Sequence, residues 1–275
     1  GKKYNESAQE PTFGGTLALG TDYTVSYAVK SGFTGTLNSD GKPVGAGTYV
    51  VTVTGKGSYT GSFTKDFEIG KANPTYTAPT AKAGLAYTGS ALDLIDAGTV
   101  TKGGEMQYKL GGGSYSTTIP TATDAGNYAV YYQITENDNY NAVAETQVGG
   151  SAISIAQADQ AAPTGLGVAA PTASSGKGKI TGTTDKMEYS TDIGFASPAG
   201  TTCTDTATEV APGTYYVRLK ADANHNAGTA AIVTVPAYSA TPYSITVNND
   251  GHGTANANKI SAVAGETITL TAAPN

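Results

Sequence analysis

Residues with site chemistry are few in this chain, and four of them stand together. Glu136-Asn-Asp-Asn139 puts four oxygen-bearing side chains at consecutive positions. A hard cation such as Ca²⁺ collects several oxygen ligands at short range, so Glu136, Asn137, Asp138 and Asn139 are the candidate metal ligands. Asn and Asp also occupy turns for local reasons, because their side chains bond nearby backbone, and a turn is the competing explanation. Two adjacent tyrosine pairs, Tyr131-Tyr132 and Tyr215-Tyr216, come next. Strand neighbours point to opposite faces, so one ring of each pair faces outward. Tyr131 and Tyr216 are the candidate ligand contacts: an outward ring offers a sugar a stacking face, or simply packs across strands. The absence of tryptophan removes the largest such face.

Catalysis needs a base beside a nucleophile, or paired carboxylates across a cleft. No such constellation is read here, and no catalytic or cofactor-binding residue is assigned. The two histidines, His225 and His252, fall in different parts of the chain and make no metal cluster. Gly111-Gly-Gly is read as a turn rather than a phosphate cradle, since no Lys-Ser/Thr helix start follows. The single cysteine, Cys203, excludes an intrachain disulfide and reads as a small, partly buried strand residue rather than a reactive thiol.

The elements that must position these residues are strands. Charged residues are 14% of the chain, well below the usual quarter, and 36 glycines and 12 prolines punctuate it. Short alternating runs bounded by Gly, Asn, Asp and Pro mark an all-β protein, and no window carries a helical apolar stripe. The net charge of −6 and a single arginine argue against nucleic acid, which needs clustered Lys and Arg. No apolar run is long enough to span a bilayer as a helix. The first residues do not have the layout of a secretory signal, so export is an inference.

One stretch recurs. Gly47-Thr-Tyr-Val-Val-Thr-Val53 returns as Gly126-Asn-Tyr-Ala-Val-Tyr-Tyr-Gln-Ile134 and as Gly213-Thr-Tyr-Tyr-Val-Arg-Leu-Lys220. Each copy is a glycine turn, a tyrosine and an alternating strand, followed by Tyr59, Tyr140 or His225 in one shared slot. That sharing makes His225 a variant of a packing residue. Tyr27, Tyr108 and Tyr189 are read as equivalent on the preceding strand, with variable loops before the signature. The expected organisation is four segments: repeats at 1–71, 72–157 and 158–238, the third divergent, then a partial β module at 239–275. In the last, 243–247 and 266–270 read as strands around the turn Asn248-Asn-Asp-Gly251.

These residues resemble the bacterial immunoglobulin-like repeats of large surface proteins, the MBG type. The resemblance is carried by Tyr4 to Ala8, Gly47 to Val53, Tyr59 and Lys71-Ala72, then by Tyr87 to Ala91, Gly126 to Ile134 and Asn139-Tyr140. The tail resembles the first half of an internalin-type repeat. The resemblance implies tandem immunoglobulin-like β-sandwiches, each of two antiparallel sheets, in an elongated array. It also implies an extracellular or bacterial cell-surface location and a non-catalytic role as stalk or spacer. The alternative is an adhesin or carbohydrate- or protein-binding module that uses exposed loops and surface tyrosines. Expected partners are a host or glycan ligand reached through neighbouring domains, with no nucleic acid, no membrane insertion of this segment, and a monomeric chain.

Overall fold

A computed structural model describes residues 1–248 and 251–274. The protein is all-β; the helical structure among the described residues is one 3-10 turn, Val148–Gly150. Two compact units divide the chain, Gly1–Ala156 and Gln157–Asn275.

Within the first unit, residues 1–70 form a single four-stranded sheet. Strand Gly47–Gly55 lies between Tyr23–Val29 and Ser62–Gly70, both antiparallel to it, and Lys2–Lys3 joins Ser62–Gly70 in parallel. Alternation sends Tyr49 and Val51 inward, where both are buried. Two antiparallel sheets were expected here. Residues 5–22 carry Pro11, Gly14, Gly15 and Gly20 instead of an alternating run, and they contribute only the bridge Leu19↔Tyr23.

Residues 75–156 are built differently. Gly126–Tyr128 pairs with Ile153–Ala156, which Leu85–Ala86 joins in parallel. After Ala129 the chain continues as Val130–Ile134 in a second sheet, between Met106–Leu110 and Val143–Gln147. One run of sequence thus serves two sheets, and the core between them holds Leu94, Tyr108, Val130, Tyr132, Ile134 and Ile155. Short ribbons close the margin, among them Thr75–Thr77 against Thr99–Lys102. The parallel pairs at Lys2–Lys3 and Leu85–Ala86 depart from the expected all-antiparallel pattern.

The second unit contains a three-stranded sheet (Gly167–Ala169, Gly178–Thr183, Thr206–Val210) and a four-stranded one (Thr201–Thr202, Met187–Ser190, Gly213–Leu219, Ala231–Val235). Ile180, Met187, Cys203, Tyr215, Val217 and Val235 form its core. Cys203 is buried, and that burial pushes its thiol pKa up, which disfavours the reactive thiolate. Two further ribbons follow: Tyr243–Ser244 with Ser261–Ala262, and Gly253–Ala257 with Leu270–Pro274. The expected strand at 266–270 begins only at Leu270, because Glu266 is held in the preceding turn. Its carboxylate accepts the Val263 N–H and pairs with Lys259 at 2.7 Å. Of the expected turn at 248–251, Asn249 and Asp250 lie outside the described residues.

The recurring stretch has one geometry in all three copies. Gly47, Gly126 and Gly213 share φ +156° and pair with Ile69, Ile155 and Val235. The tyrosine two residues on donates its hydroxyl to the carbonyl four residues before it: Tyr49 to Gly45 (2.6 Å), Tyr128 to Asp124 (2.7 Å) and Tyr215 to Ala211 (2.9 Å). This ties each strand to the turn that enters it, as tyrosine corners do in β-sandwiches. The preceding strand corrects the equivalence expected for Tyr27, Tyr108 and Tyr189. Tyr27 faces Val51 and Tyr189 faces Val217, but the residue facing Val130 is Leu110; Tyr108 faces Tyr132.

Candidate functional site

The Glu136–Asn139 cluster lies in a loop that grips the linker entering its own repeat. Ala72 of that linker makes a parallel bridge with Tyr140: its N–H donates to Asn139 O (2.9 Å), and Asn141 N–H donates to its carbonyl (2.8 Å). The side chains shape this loop from within. Asn137 Oδ1 accepts the N–H groups of Asn139 (3.0 Å) and Tyr140 (2.9 Å). Asn139 Oδ1 reaches the first repeat and accepts Ala46 N–H at 2.9 Å. Glu136 pairs with Lys71 at 3.0 Å, and Asn141 donates to Asn73 at 2.9 Å. Three of the four candidate Ca²⁺ ligands therefore already hold backbone or linker partners. Asp138 lies beside them on a small cleft that Lys71 and Glu68 also line. Among the described residues no group of three or more His, Cys, Asp or Glu side chains is placed to hold a metal ion.

The same clasp recurs in the second unit, residue for residue. Ala158 bridges His225, with its N–H on Asn224 O and its carbonyl taking Asn226 N–H, both at 2.9 Å. Asp222 Oδ1 accepts the N–H groups of Asn224 and His225 at 2.8 Å, as Asn137 does in the other copy. Asn226 donates to Asp159 at 2.8 Å, repeating Asn141 and Asn73. His225 Nδ1 lies 2.9 Å from Asp222 Oδ1. The Asp222 carboxyl is held below its ordinary range, first by the Asn224 N–H and then by His225. Tyr140 and His225 thus share a slot. Tyr59 does not: its loop is shorter, closed by Gly55 N–H on Gly61 O, and among the described residues it takes no linker strand. His252 is exposed, just before strand Gly253–Ala257.

A residue absent from the expected set completes the junction in the first unit. Glu6 accepts from Lys102 Nζ at 2.7 Å and from the Tyr140 hydroxyl at 3.0 Å, while the Tyr4 ring meets Tyr140 edge-on at 5.3 Å. Glu6 has φ +66°, where the equivalent position of the second repeat is Gly89 at φ +79°. A non-glycine residue in that region is strained, and here the strain accompanies a contact with the next repeat. The sequence signal was a glutamate at the glycine position of Tyr-x-Gly-Ser-Ala.

Lys102 and then Tyr140 hold the Glu6 carboxyl below its ordinary value of about 4.3. A lowered folded-state pKa contributes stability above the unfolded value and loses it as pH falls through the folded one. Protection of the Tyr140 and Asn141 amides, measured relative to their intrinsic exchange rates, is therefore expected to fall as pH is taken below the ordinary carboxylate range. Glu6→Gln should remove that pH dependence; an unchanged profile in the variant would count against the contact.

The tyrosine candidates separate as alternation requires. Tyr132 and Tyr215 are buried, and Tyr131 and Tyr216 are partly exposed. Tyr131 belongs to a charged aromatic group. Lys109 Nζ lies 5.4 Å from its ring centroid, 4.9 Å from that of Tyr115 and 2.6 Å from Glu145. The Tyr115 hydroxyl donates to Glu145 at 2.8 Å, and its pKa is pushed up to about 12, by burial first and that carboxylate second. Tyr216 stands in register between Ser190 and the exposed Ile232. Arg218 on the same strand pairs with Glu188 at 2.6 Å and covers the Phe195 ring at 3.8 Å. This chemistry suits holding strands and rings in place; no nucleophile–base pair emerges from it.

No protein-family model matches this chain, and no curated protein matches it.

Proposed function

We propose that the chain is a non-catalytic structural segment, a stalk or spacer of tandem β modules at a bacterial cell surface. The observation that carries this proposal is the repeated clasp. Ala72 on Tyr140 and Ala158 on His225 are the same linker-and-loop joint built twice, with the same backbone bonds and two recurring side-chain supports, Asn137 or Asp222 within the loop and Asn141 or Asn226 onto the linker. A joint reproduced at successive boundaries serves to fix one module on its linker. The polar residues that might have made a site are largely spent on it. The surface location rests on the resemblance read in the sequence alone.

Proline in place of Ala72 deletes the N–H that Asn139 O accepts. The 71–79 linker should then be cut by a nonspecific protease about tenfold faster or more, because cleavage follows local opening. The buried core of the second repeat should keep its exchange protection. Cutting at the parent rate would remove the clasp's structural role.

The alternative, an adhesin or glycan-binding module, is favoured by the Tyr131 group, where a ring, a cation and a carboxylate converge on a partly exposed face. A glycan array separates the two. Binding by the parent chain that Tyr131→Ala or Tyr216→Ala abolishes would support the adhesin; the stalk predicts no glycan signal above background.

A further inference from the structure

The two repeats of the first unit align without insertion from Tyr4 to Asp22 and from Tyr87 to Glu105. Tyr4 N–H donates to Gly70 O as Tyr87 N–H does to Ala156 O, and Asp22 O accepts Lys56 N–H as Glu105 O accepts Thr135 N–H. This alignment places Leu17 where the second repeat has Val100, and Tyr23 where it has Met106. The strand registers place Val53 where the second repeat has Tyr132.

In the second repeat, that neighbourhood is covered by the linker's continuation. Strand Thr75–Thr77 pairs antiparallel with Thr99–Lys102, with Tyr76 opposite Val100. The Tyr76 ring packs on Tyr132 with centroids 6.3 Å apart, and both join the core margin with Val100. In the first repeat the corresponding space is a groove of about 810 Å³ between residues 12–17 and the sheet, floored by Tyr23, Val53 and Phe63. Leu17 is 45% exposed and Phe63 61%, and among the described residues no strand pairs with 16–18. The groove has the apolar lining that strand addition uses, and at Thr16 and Leu17 a backbone edge outside any ladder; Ala18 beside them is tied into a turn with Asp22.

We propose that this groove is a strand-docking site for an extended peptide of the chemistry found in residues 71–77. That chemistry is a small residue and a proline, then an aromatic flanked by threonines. The peptide adds antiparallel along Thr16 and Leu17, and its aromatic ring enters between Leu17 and Val53. The proposal deepens the reading of the chain as a serial array and rests on it: the groove of the first repeat takes the kind of segment that the second repeat receives from residues 71–77. A ring buried there removes apolar surface that Leu17, Val53 and Phe63 now expose.

Two experiments on the full chain test it. In the first, the synthetic peptide Lys-Ala-Asn-Pro-Thr-Tyr-Thr-Ala-Pro is titrated in, and amide exchange is followed along the chain. In the second, the sequence of residues 71–83 is fused ahead of Gly1, which aligns with Gly84, so that weak affinity is offset by effective concentration. The expected result is saturable protection of residues 12–19 and 53–63 by the peptide. In the fusion, exchange there slows by about tenfold or more, and this is lost in the fused segment carrying Tyr76→Ala. Exchange in the fusion within about twofold of the parent would overturn the proposal. So would equal protection by the Tyr76→Ala segment, or protection by the peptide that maps to the second repeat instead. If force-induced unfolding still proceeds repeat by repeat while the fused segment stays unprotected, docking fails and the serial array stands.

Discussion

Alanine at Gly47 is expected to destabilise the first repeat by about 3 kcal/mol or more, against roughly 1–2 kcal/mol for alanine at Gly126 or Gly213. All three glycines hold φ +156°, so the backbone cost is common to them. The surroundings differ. A Cβ at Gly126 would meet the Tyr128 hydroxyl at 3.6 Å, and one at Gly213 would meet the Tyr215 ring at 3.7 Å, both ordinary contacts. At Gly47 the Cβ would land on the Thr34 carbonyl, with Gly35 Cα 2.7 Å away. Backbone cannot step aside as a flexible side chain does, so strand Gly47–Gly55 or the 33–36 segment must shift. Urea denaturation read through amide exchange of 47–55, 126–134 and 213–219 gives the three costs separately. Equal costs at the three sites would contradict the packing described for Thr34.

Tyr49 carries the second large effect. Its side chain is fully buried, and its hydroxyl makes three bonds: to Gly45 O at 2.6 Å, to Thr36 O at 3.1 Å and from Thr36 N–H at 2.9 Å. The other buried apolar residues of this repeat are few: Ala46, Val51 and Ile69. Tyr49→Ala empties a ring-sized volume and should cost about 3–5 kcal/mol. Tyr49→Phe keeps the volume but leaves Thr36 N–H without its acceptor, for about 1–3 kcal/mol. The same two substitutions at Tyr128, whose hydroxyl has one carbonyl partner and lies nearer the surface, should cost less. Thermal unfolding of the parent and the four variants would show it. A larger loss for Tyr49→Phe than for Tyr49→Ala would contradict the assignment of the cost to ring burial.

The all-β class was legible in the sequence because alternation and turn residues are local signals. The equivalence of Tyr140 and His225 was legible because each follows a recognisable strand, about ten to twelve residues past its first tyrosine. The equivalence of Tyr27, Tyr108 and Tyr189 was misjudged for a physical reason. A shift of two along a strand leaves every side chain on the same face, so alternation cannot tell Tyr108 from Leu110; only the ladder opposite Val130 does. Tyr59 was placed with Tyr140 because both are aromatic and follow a similar strand. A loop's grip on a linker depends on its length and backbone bonds, which composition does not report. The candidate oxygens at 136–139 were found where they are, but their partners, Lys71 and Ala46, are distant in sequence. Glu6 was passed over because its role depends on contacts with Lys102 and Tyr140.

The central proposal is that the chain is a series of modules, the second and third of which are fixed to their linkers by the same joint. Pulling single molecules by their two ends tests it most directly. Each repeat should give way as a separate event. Release of about 80 residues at roughly 3.5 Å each, less the folded span, gives steps on the order of 250 Å. Ala72→Pro should lower the force of one step and leave the others. A single rupture releasing the whole length at once would contradict a serial array, as would extension without resolved steps.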